Sequence, residues 1–226
     1  MTAKYWFMDL KIDQNTVVVF DLDDTLYNEI EYLKSAYQHI AKKVDPHSWQ
    51  SLHAIMFSLY RSGSNVFDYL INERSCIKED LLDHYRYHSP AIEPFPGVLD
   101  LFADIKKNGG KLALVTDGRS VTQRNKIKAL GLEPYLDHIV ISEEIGTEKP
   151  HTNNFLSVEK AFNRTCHYYI ADNIRKDFDG PHELGWQGIL LADNGLNIHQ
   201  NPLLNYKIEK LNLTVILSIQ ELRVVS

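Results

Sequence analysis

Five short apolar runs constrain this chain more than any other feature. They are Val17-Val18-Val19-Phe20, Lys111-Leu112-Ala113-Leu114-Val115, His138-Ile139-Val140-Ile141, His167-Tyr168-Tyr169-Ile170 and Gly188-Ile189-Leu190-Leu191. None alternates apolar with polar residues, so each reads as a strand buried on both faces. Helical patterns near 97–108, 119–130, 151–162 and 175–184 lie among the later runs. This alternation predicts an α/β fold with a doubly wound, Rossmann-like parallel sheet. Ligands of such a sheet sit at the carboxyl ends of its strands.

Residues 28–91 break the alternation. Ile30, Leu33, Tyr37, Ile40 and Val44 recur at helical spacing, as do Trp49, Leu52, Met56 and Leu59. Shorter helical segments follow near 65–73 and 78–87, with Arg61-Ser62-Gly63-Ser64-Asn65 as a turn between. Pro90, Pro94, Pro96 and Gly97 punctuate the return. The expected organisation is a core domain, 1–27 and 92–226, carrying a small α-helical domain at 28–91.

Several function classes are disfavoured. No run of 18 apolar residues exists, so no membrane-spanning helix is expected. Residues 1–6 lack the apolar stretch of a signal peptide. Two cysteines, Cys76 and Cys166, make no disulfide framework, which points to a reducing cytoplasm. A net charge of −6 argues against nucleic acid and against an anionic membrane surface as partners. The histidines lack zinc spacing, so no zinc site is expected.

The first run ends in Asp21-Leu22-Asp23-Asp24-Thr25. Residues i and i+2 of an extended chain point the same way, so Asp21 and Asp23 face one pocket and Leu22 the other side. Two like charges in one buried place are costly without a cation. A divalent cation offsets the repulsion and keeps Asp21 ionised as a nucleophile, while Asp23 serves as acid and base. That division suits phosphoryl transfer through an aspartyl phosphate.

Asp21-Leu22-Asp23-Asp24-Thr25 resembles the first motif of the haloacid dehalogenase superfamily, Asp-x-Asp-x-Thr/Val. Leu114-Val115-Thr116-Asp117-Gly118 resembles its second, Glu148-Lys149-Pro150 its third and Ile170-Ala171-Asp172-Asn173 through Asp177 its fourth. The fourth motif more often begins Gly-Asp, and here it is Ala171-Asp172. The resemblance spans residues 17–192. It implies that Asp21 attacks phosphorus and ligates the cation, and that Asp23 protonates the leaving oxygen and later activates water. The Asp23 backbone carbonyl becomes a further cation ligand. Thr116 and Lys149 hold the phosphate, Asp172 ligates the cation, and Asp177 supports it through water or Lys149. Asp24 reads as a turn residue. Leu22, Asp117 and Gly118 join the substrate-binding residues, with Asp117 offering a backbone N–H.

The cation expected for this all-oxygen site is Mg²⁺. An acid at Asp23 separates phosphate monoesters from halide and phosphonate substrates, whose enzymes lack it. The 28–91 insertion resembles the superfamily's small helical cap. Tyr27, Asn28, Arg61, Asn65, Arg86 and His88 are its candidate specificity residues, with Arg86 and His88 preferred for their place near the returning hinge. The expected activity is a Mg²⁺-dependent phosphatase of a small phosphorylated metabolite, of the sugar phosphate or nucleoside monophosphate class. A phosphomutase uses the same motifs. A phospho-accepting receiver domain is shorter and uncapped, and an inactive binding protein would not need every reactive group.

Overall fold

The computed structural model describes residues 7–199 and 205–226, so the reading of residues 1–6 lies outside it. The strands are β1 (Met8–Lys11), β2 (Thr16–Phe20), β3 (Lys111–Thr116), β4 (His138–Ile141), β5 (Cys166–Ala171), β6 (Gln187–Leu191), β7 (Thr214–Ile216) and β8 (Leu222–Val225). The helices are α1 (Glu29–Val44), α2 (Trp49–Arg61), α3 (Val66–Arg74), α4 (Lys78–Tyr87), α5 (Val98–Lys107), α6 (Ser120–Ala129), α7 (Ser142–Ile145), α8 (Asn153–Ala161), α9 (Asp179–Glu183) and α10 (Asn205–Lys210). Six strands form one sheet in the order β4-β3-β2-β5-β6-β7, and every pairing is parallel. From the central β2 the chain winds outward through β3 and β4, then returns to β5 beside β2. This makes the doubly wound sheet expected from the apolar runs.

The lack of alternation in those runs has a direct cause. Val18 and Phe20 of β2 pack into one apolar layer with Leu112, Leu114, Phe102 and Ile127. Val17 and Val19 point the other way, into a layer with Ala113, Val115, Phe155 and Phe178. Side chains still alternate with period two, but both faces are covered by helices, so both registers must be apolar.

Helices α1 to α4 gather an apolar cluster of their own, including Leu33, Tyr37, Ile40, Leu52, Met56 and Leu70. On α1, Tyr32 instead joins the cluster under the main sheet. Acidic Glu29 and Glu31 open α1 and basic Lys42 and Lys43 close it, as its dipole favours. The turn at 61–65 forms, with Gly63 at φ 76 and the Asn65 side chain capping α3.

Three strands escape the sequence pattern. β1 and β8 pair with each other as a separate parallel two-stranded sheet, and β7 adds three residues at the edge of the main sheet. Short strands covered on one side give no continuous apolar run. The helix expected over 175–184 is also shorter: only Asp179–Glu183 is helical. The preceding residues form a turn in which the Asn173 carboxamide oxygen accepts from Arg175 N and the Asn173 carbonyl accepts from Asp177 N. No helix among the described residues is long and apolar enough to cross a membrane.

Helix α9 presses closely on the chain that carries Lys149. A Cβ on Gly180 would lie 2.6 Å from the Phe155 ring and 2.8 Å from the Pro150 carbonyl oxygen. We expect Gly180→Ala to destabilise the fold by about 1–3 kcal/mol, as overpacking usually does. Urea unfolding measures it, and an unchanged midpoint would contradict this close approach.

Candidate active site

The main sheet delivers its polar residues where β2, β3 and β5 end side by side. Asp21 directly follows β2, and its backbone N–H donates to the Ile170 carbonyl at 3.0 Å, extending the ladder by one bond. Thr116 ends β3 and Asp172 directly follows β5. These ends surround a cavity of about 120 Å³ lined by Asp21, Asp23, Asp24, Glu29, Thr116, Asp117, Asp172, Asn173, Lys176 and His199. The lining holds more acids than bases.

Lys149 is the buried counter-charge. Its ammonium donates to Asp21 Oδ1 at 2.6 Å and lies 2.7 Å from Asp177 Oδ1. Its side chain is fully buried. Burial alone would lower the Lys149 pKa, but the Asp177 and Asp21 carboxylates outweigh it and hold the ammonium well above its ordinary range. Tyr169 donates its hydroxyl to Asp177 Oδ1 at 3.2 Å, and Asn173 N donates to the other Asp177 oxygen at 3.1 Å. Asp177 therefore anchors Lys149, and it lies in the turn before α9 rather than within a helix.

One cation does not neutralise this group. Carboxylate oxygens of Asp21, Asp172 and Asp177 lie within 4.8 Å of one another. Burial pushes the Asp21 carboxyl up to about 6, with Lys149 opposing and Asp177 adding to the rise. Burial pushes Asp172 up to about 9, reinforced by the charges of Asp21, Asp177 and Asp24. Buried acids held this close lack positive charge, and an all-oxygen set of this kind fits a hard divalent cation. Asn197 donates to one Asp172 oxygen at 2.9 Å and the Thr25 hydroxyl to the other at 3.4 Å, orienting it.

Asp23 belongs to a different set of contacts. Lys126 donates to its Oδ1 at 2.7 Å, Gln123 donates to its Oδ2 at 2.9 Å, and the Tyr27 hydroxyl donates to Oδ1. Burial alone would raise its pKa, but the Lys126 charge and these bonds bring the carboxyl below its ordinary value. Gln123 also donates to the Thr116 hydroxyl oxygen at 2.6 Å, joining Thr116 to Asp23. The Asp23 side chain is not part of the three-carboxylate cluster.

The turn between β2 and α1 accounts for Asp24. Its φ is 56°, a left-handed conformation that Asp tolerates better than most residues. Its two oxygens accept from Glu29 N and Ile198 N, both at 2.8 Å. Asp24 is thus a turn residue that also ties the 193–198 loop to the site. The Asp117 side chain accepts from Lys149 N at 3.0 Å and from the Lys176 ammonium at 3.3 Å. Gly118 has φ 135°, and its N–H donates to Ser142 Oγ at 2.9 Å. The Leu22 side chain is fully buried in the layer below, on the side away from the acids.

Arg86 and His88 do not line the cavity. Arg86 is half-buried. His88 is buried, with its ring 4.9 Å from Tyr32 and Nδ1 2.9 Å from the Tyr85 carbonyl. Packing fixes its place, so nearness to the hinge in sequence was a poor guide to the cavity. Sequence reasoning passed over Gln123, Lys126, Glu29, Asn197 and His199. Gln123 and Lys126 did carry a signal: they lie one turn apart on α6, on the buried side that includes Ile127. Asn197 and His199 come from an irregular loop and had none.

A sequence model of the haloacid dehalogenase-like hydrolases matches residues 18–190. The glyceraldehyde 3-phosphate phosphatase of Methanocaldococcus jannaschii is 27% identical over 184 residues, covering 74% of this chain and 81% of the relative. The pyrophosphatase PpaX of Halalkalibacterium halodurans is 30% identical over 151 residues, covering 65% and 67%. A haloacid-dehalogenase-type phosphatase from Thermococcus onnurineus shares the fold, with a TM-score of 0.54 at 20% identity, over 84% of this chain and 90% of that one. The chain belongs to the haloacid dehalogenase-like hydrolases and is an enzyme of their phosphatase type.

The acid cluster generates a prediction whose size depends on the medium. The metal-free site already disfavours the Asp172 charge, and Asp172→Asn replaces the carboxyl by an amide of the same shape, so in chelator we expect the variant to be about as stable as the parent in urea. With Mg²⁺ at about 100 times its Kd, the parent should gain about 2.7 kcal/mol and the variant much less. Equal Mg²⁺ stabilisation of both proteins would remove Asp172 from the cation site.

Proposed function

We propose that this member of the haloacid dehalogenase-like hydrolases is a Mg²⁺-dependent phosphatase that works through an aspartyl phosphate on Asp21. The observation that carries the reading is the separation of two neighbouring acids. Asp21 sits among Lys149, Asp172 and Asp177, whereas Asp23 is held by Lys126, Gln123 and Tyr27. The first environment suits a nucleophile that must meet an anionic phosphate; the second sets Asp23 apart from that cluster and favours its carboxylate, the form that activates water.

Mg²⁺, held by Asp21, Asp172 and the backbone carbonyl of Asp23, would supply positive charge against the phosphate oxygens and the nucleophile. Asp177 supports this set through Lys149. The remaining chemistry belongs to the chain. An Asp21 oxygen forms a bond to phosphorus as the ester P–O bond breaks. Asp23 gives its proton to the departing alkoxide, so the alcohol leaves neutral. Asp23, now a carboxylate, takes a proton from water as that water attacks the phosphorus of the aspartyl phosphate. The acyl phosphate P–O bond breaks, Asp21 is restored and inorganic phosphate departs. The Thr116 hydroxyl and the Lys176 side chain line the cavity that the phosphate would enter, while the buried Lys149 acts from behind Asp21. Lys149 also keeps Asp21 ionised until substrate arrives.

The helical unit at 28–91 acts as the cap in this reading, closing over the leaving group and excluding water. Its α1 brings Glu29 to the cavity wall. The small cavity and the glyceraldehyde 3-phosphate phosphatase likeness favour a compact phosphorylated metabolite, with a sugar phosphate ahead of a nucleoside monophosphate.

Two substitutions test the roles. Asp21→Asn should abolish turnover and leave no phosphate-labelled protein on acid quench, since an amide is a poor nucleophile; near-normal turnover by a folded variant would sink the assignment. Asp23→Asn should lower kcat/KM for an alkyl phosphate by roughly 10²–10⁴. For an aryl phosphate, whose leaving group needs less protonation, the loss should be clearly smaller. Equal losses would exclude proton donation by Asp23.

A further inference from the structure

Lys126 is a cation with an unusual address. It lies on the buried side of α6, its side chain only 4% exposed, in a chain whose mechanism already has a buried cation beside the nucleophile in Lys149. Burial of an ammonium is costly, so each of its contacts matters. Lys126 donates to Asp23 Oδ1 at 2.7 Å. Glu29 Oε1 lies 3.6 Å away, and the Tyr32 ring centroid is 4.5 Å from the ammonium, a cation–π distance. Glu29 and Tyr32 both belong to α1. Gln123, three residues before Lys126 on the same helix, takes the other Asp23 oxygen and also Thr116. Lys126 does not line the cavity, so it stands behind Asp23 rather than in front of the substrate.

We propose that Lys126, assisted by Gln123, is a positioning residue that fixes the Asp23 carboxylate against α6 and that helix α1 completes this clamp. The inference rests on the acid–base reading of Asp23 given above. Two donors from α6, one on each carboxylate oxygen, define the plane of the group. They turn it away from Asp21, Asp172 and Asp177, where a fourth carboxylate would add repulsion and compete for the cation. Proton transfer depends on the acid lying within hydrogen-bond reach of the leaving oxygen, so a carboxylate free to rotate loses rate without losing substrate affinity. Because Glu29 and Tyr32 come from α1, the clamp spans the joint between the helical unit and the sheet domain. Its far side is in place only when α1 is seated.

The test uses Lys126→Met, which keeps the length and apolar stem, and Lys126→Arg, which keeps the charge. Circular dichroism and urea unfolding establish that each variant folds. Lys126→Met should lower kcat/KM for an alkyl phosphate by roughly 10–100-fold and for an aryl phosphate several-fold less, with the loss in kcat rather than KM. Lys126→Arg should recover part of the alkyl rate. In an Asp23→Asn background, Lys126→Met should add little, since the group it positions is gone. A common loss for both esters, or full additivity with Asp23→Asn, would overturn the proposal. If Asp23→Asn itself shows no leaving-group dependence, the failure lies with the acid–base reading. If it shows that dependence and Lys126→Met does not, the failure lies with Lys126 alone.

Discussion

The fully buried ammonium of Lys149, held between Asp21 at 2.6 Å and Asp177 at 2.7 Å, is the interaction on which the rest of this structure depends. Taking those charges out of water is expensive, and the contacts offset the cost only if each remaining lone pair and proton is satisfied. The surrounding backbone is arranged accordingly. Asn173 N and the Tyr169 hydroxyl serve Asp177, and the Asp117 carboxylate accepts from Lys149 N. Residues from β2, the turn after β5, the loop before α8 and the loop after β3 thus meet at one point. The same network leaves Asp172 without its share of positive charge. A site that is stable enough to form and still short of cations is suited to bind one.

The sheet makes this convergence possible. In a parallel order of β3-β2-β5, three neighbouring strands end on the same edge, and each delivers its next residue within reach of the others. β2 is central, so the residues just past its end meet both neighbours: Asp21 bonds to the β5 side through the Ile170 carbonyl, and Asp23 turns toward the helix after β3. A chain change at this edge therefore alters several groups together. Helix α9 contributes from behind, because Gly180 lets it close on the Pro150 carbonyl beside Lys149.

Much of this was legible in the sequence. Val17 to Phe20 and its counterparts announced buried strands because two covered faces forbid polar residues in either register. Asp21 and Asp23 announced a site because acids after a buried strand need partners. The elements that were not legible lack a periodic signature. β1 and β8 are four residues each and find one another from opposite ends of the chain. Asn197 reaches Asp172 from a loop 25 positions later. The place of His88 outside the cavity lining was illegible for a related reason: its burial against Tyr32 depends on the angle between α1 and α4, which neither helix encodes alone. Gln123 and Lys126 are intermediate. Two polar residues among the buried positions of a helix conflict with simple packing, and such conflicts between local pattern and global fold mark functional places.

The two acids of the first motif show how one turn of chain yields two environments. Extended spacing would aim Asp21 and Asp23 into the same space, and at the end of β2 that geometry begins. The left-handed residue Asp24 then bends the chain, and Tyr27, four residues beyond Asp23, comes back to donate to it. Asp21 remains with the cluster and has its carboxyl raised to about 6, chiefly by burial. Asp23 moves to α6, where the Lys126 charge overcomes the same burial and holds its carboxyl low. Two identical side chains at i and i+2 are thereby driven in opposite directions: the Asp177 charge adds to the burial of Asp21 against Lys149, whereas Lys126 and the hydrogen bonds to Asp23 overcome its burial. In the mechanism proposed above, a substrate phosphate enters between them and adds negative charge to both, with Lys149 beside Asp21 and Lys126 beside Asp23. The donors on both Asp23 oxygens favour its carboxylate, and in that mechanism the negative charge of an arriving phosphate works against them, toward the protonated form that a departing alkoxide requires.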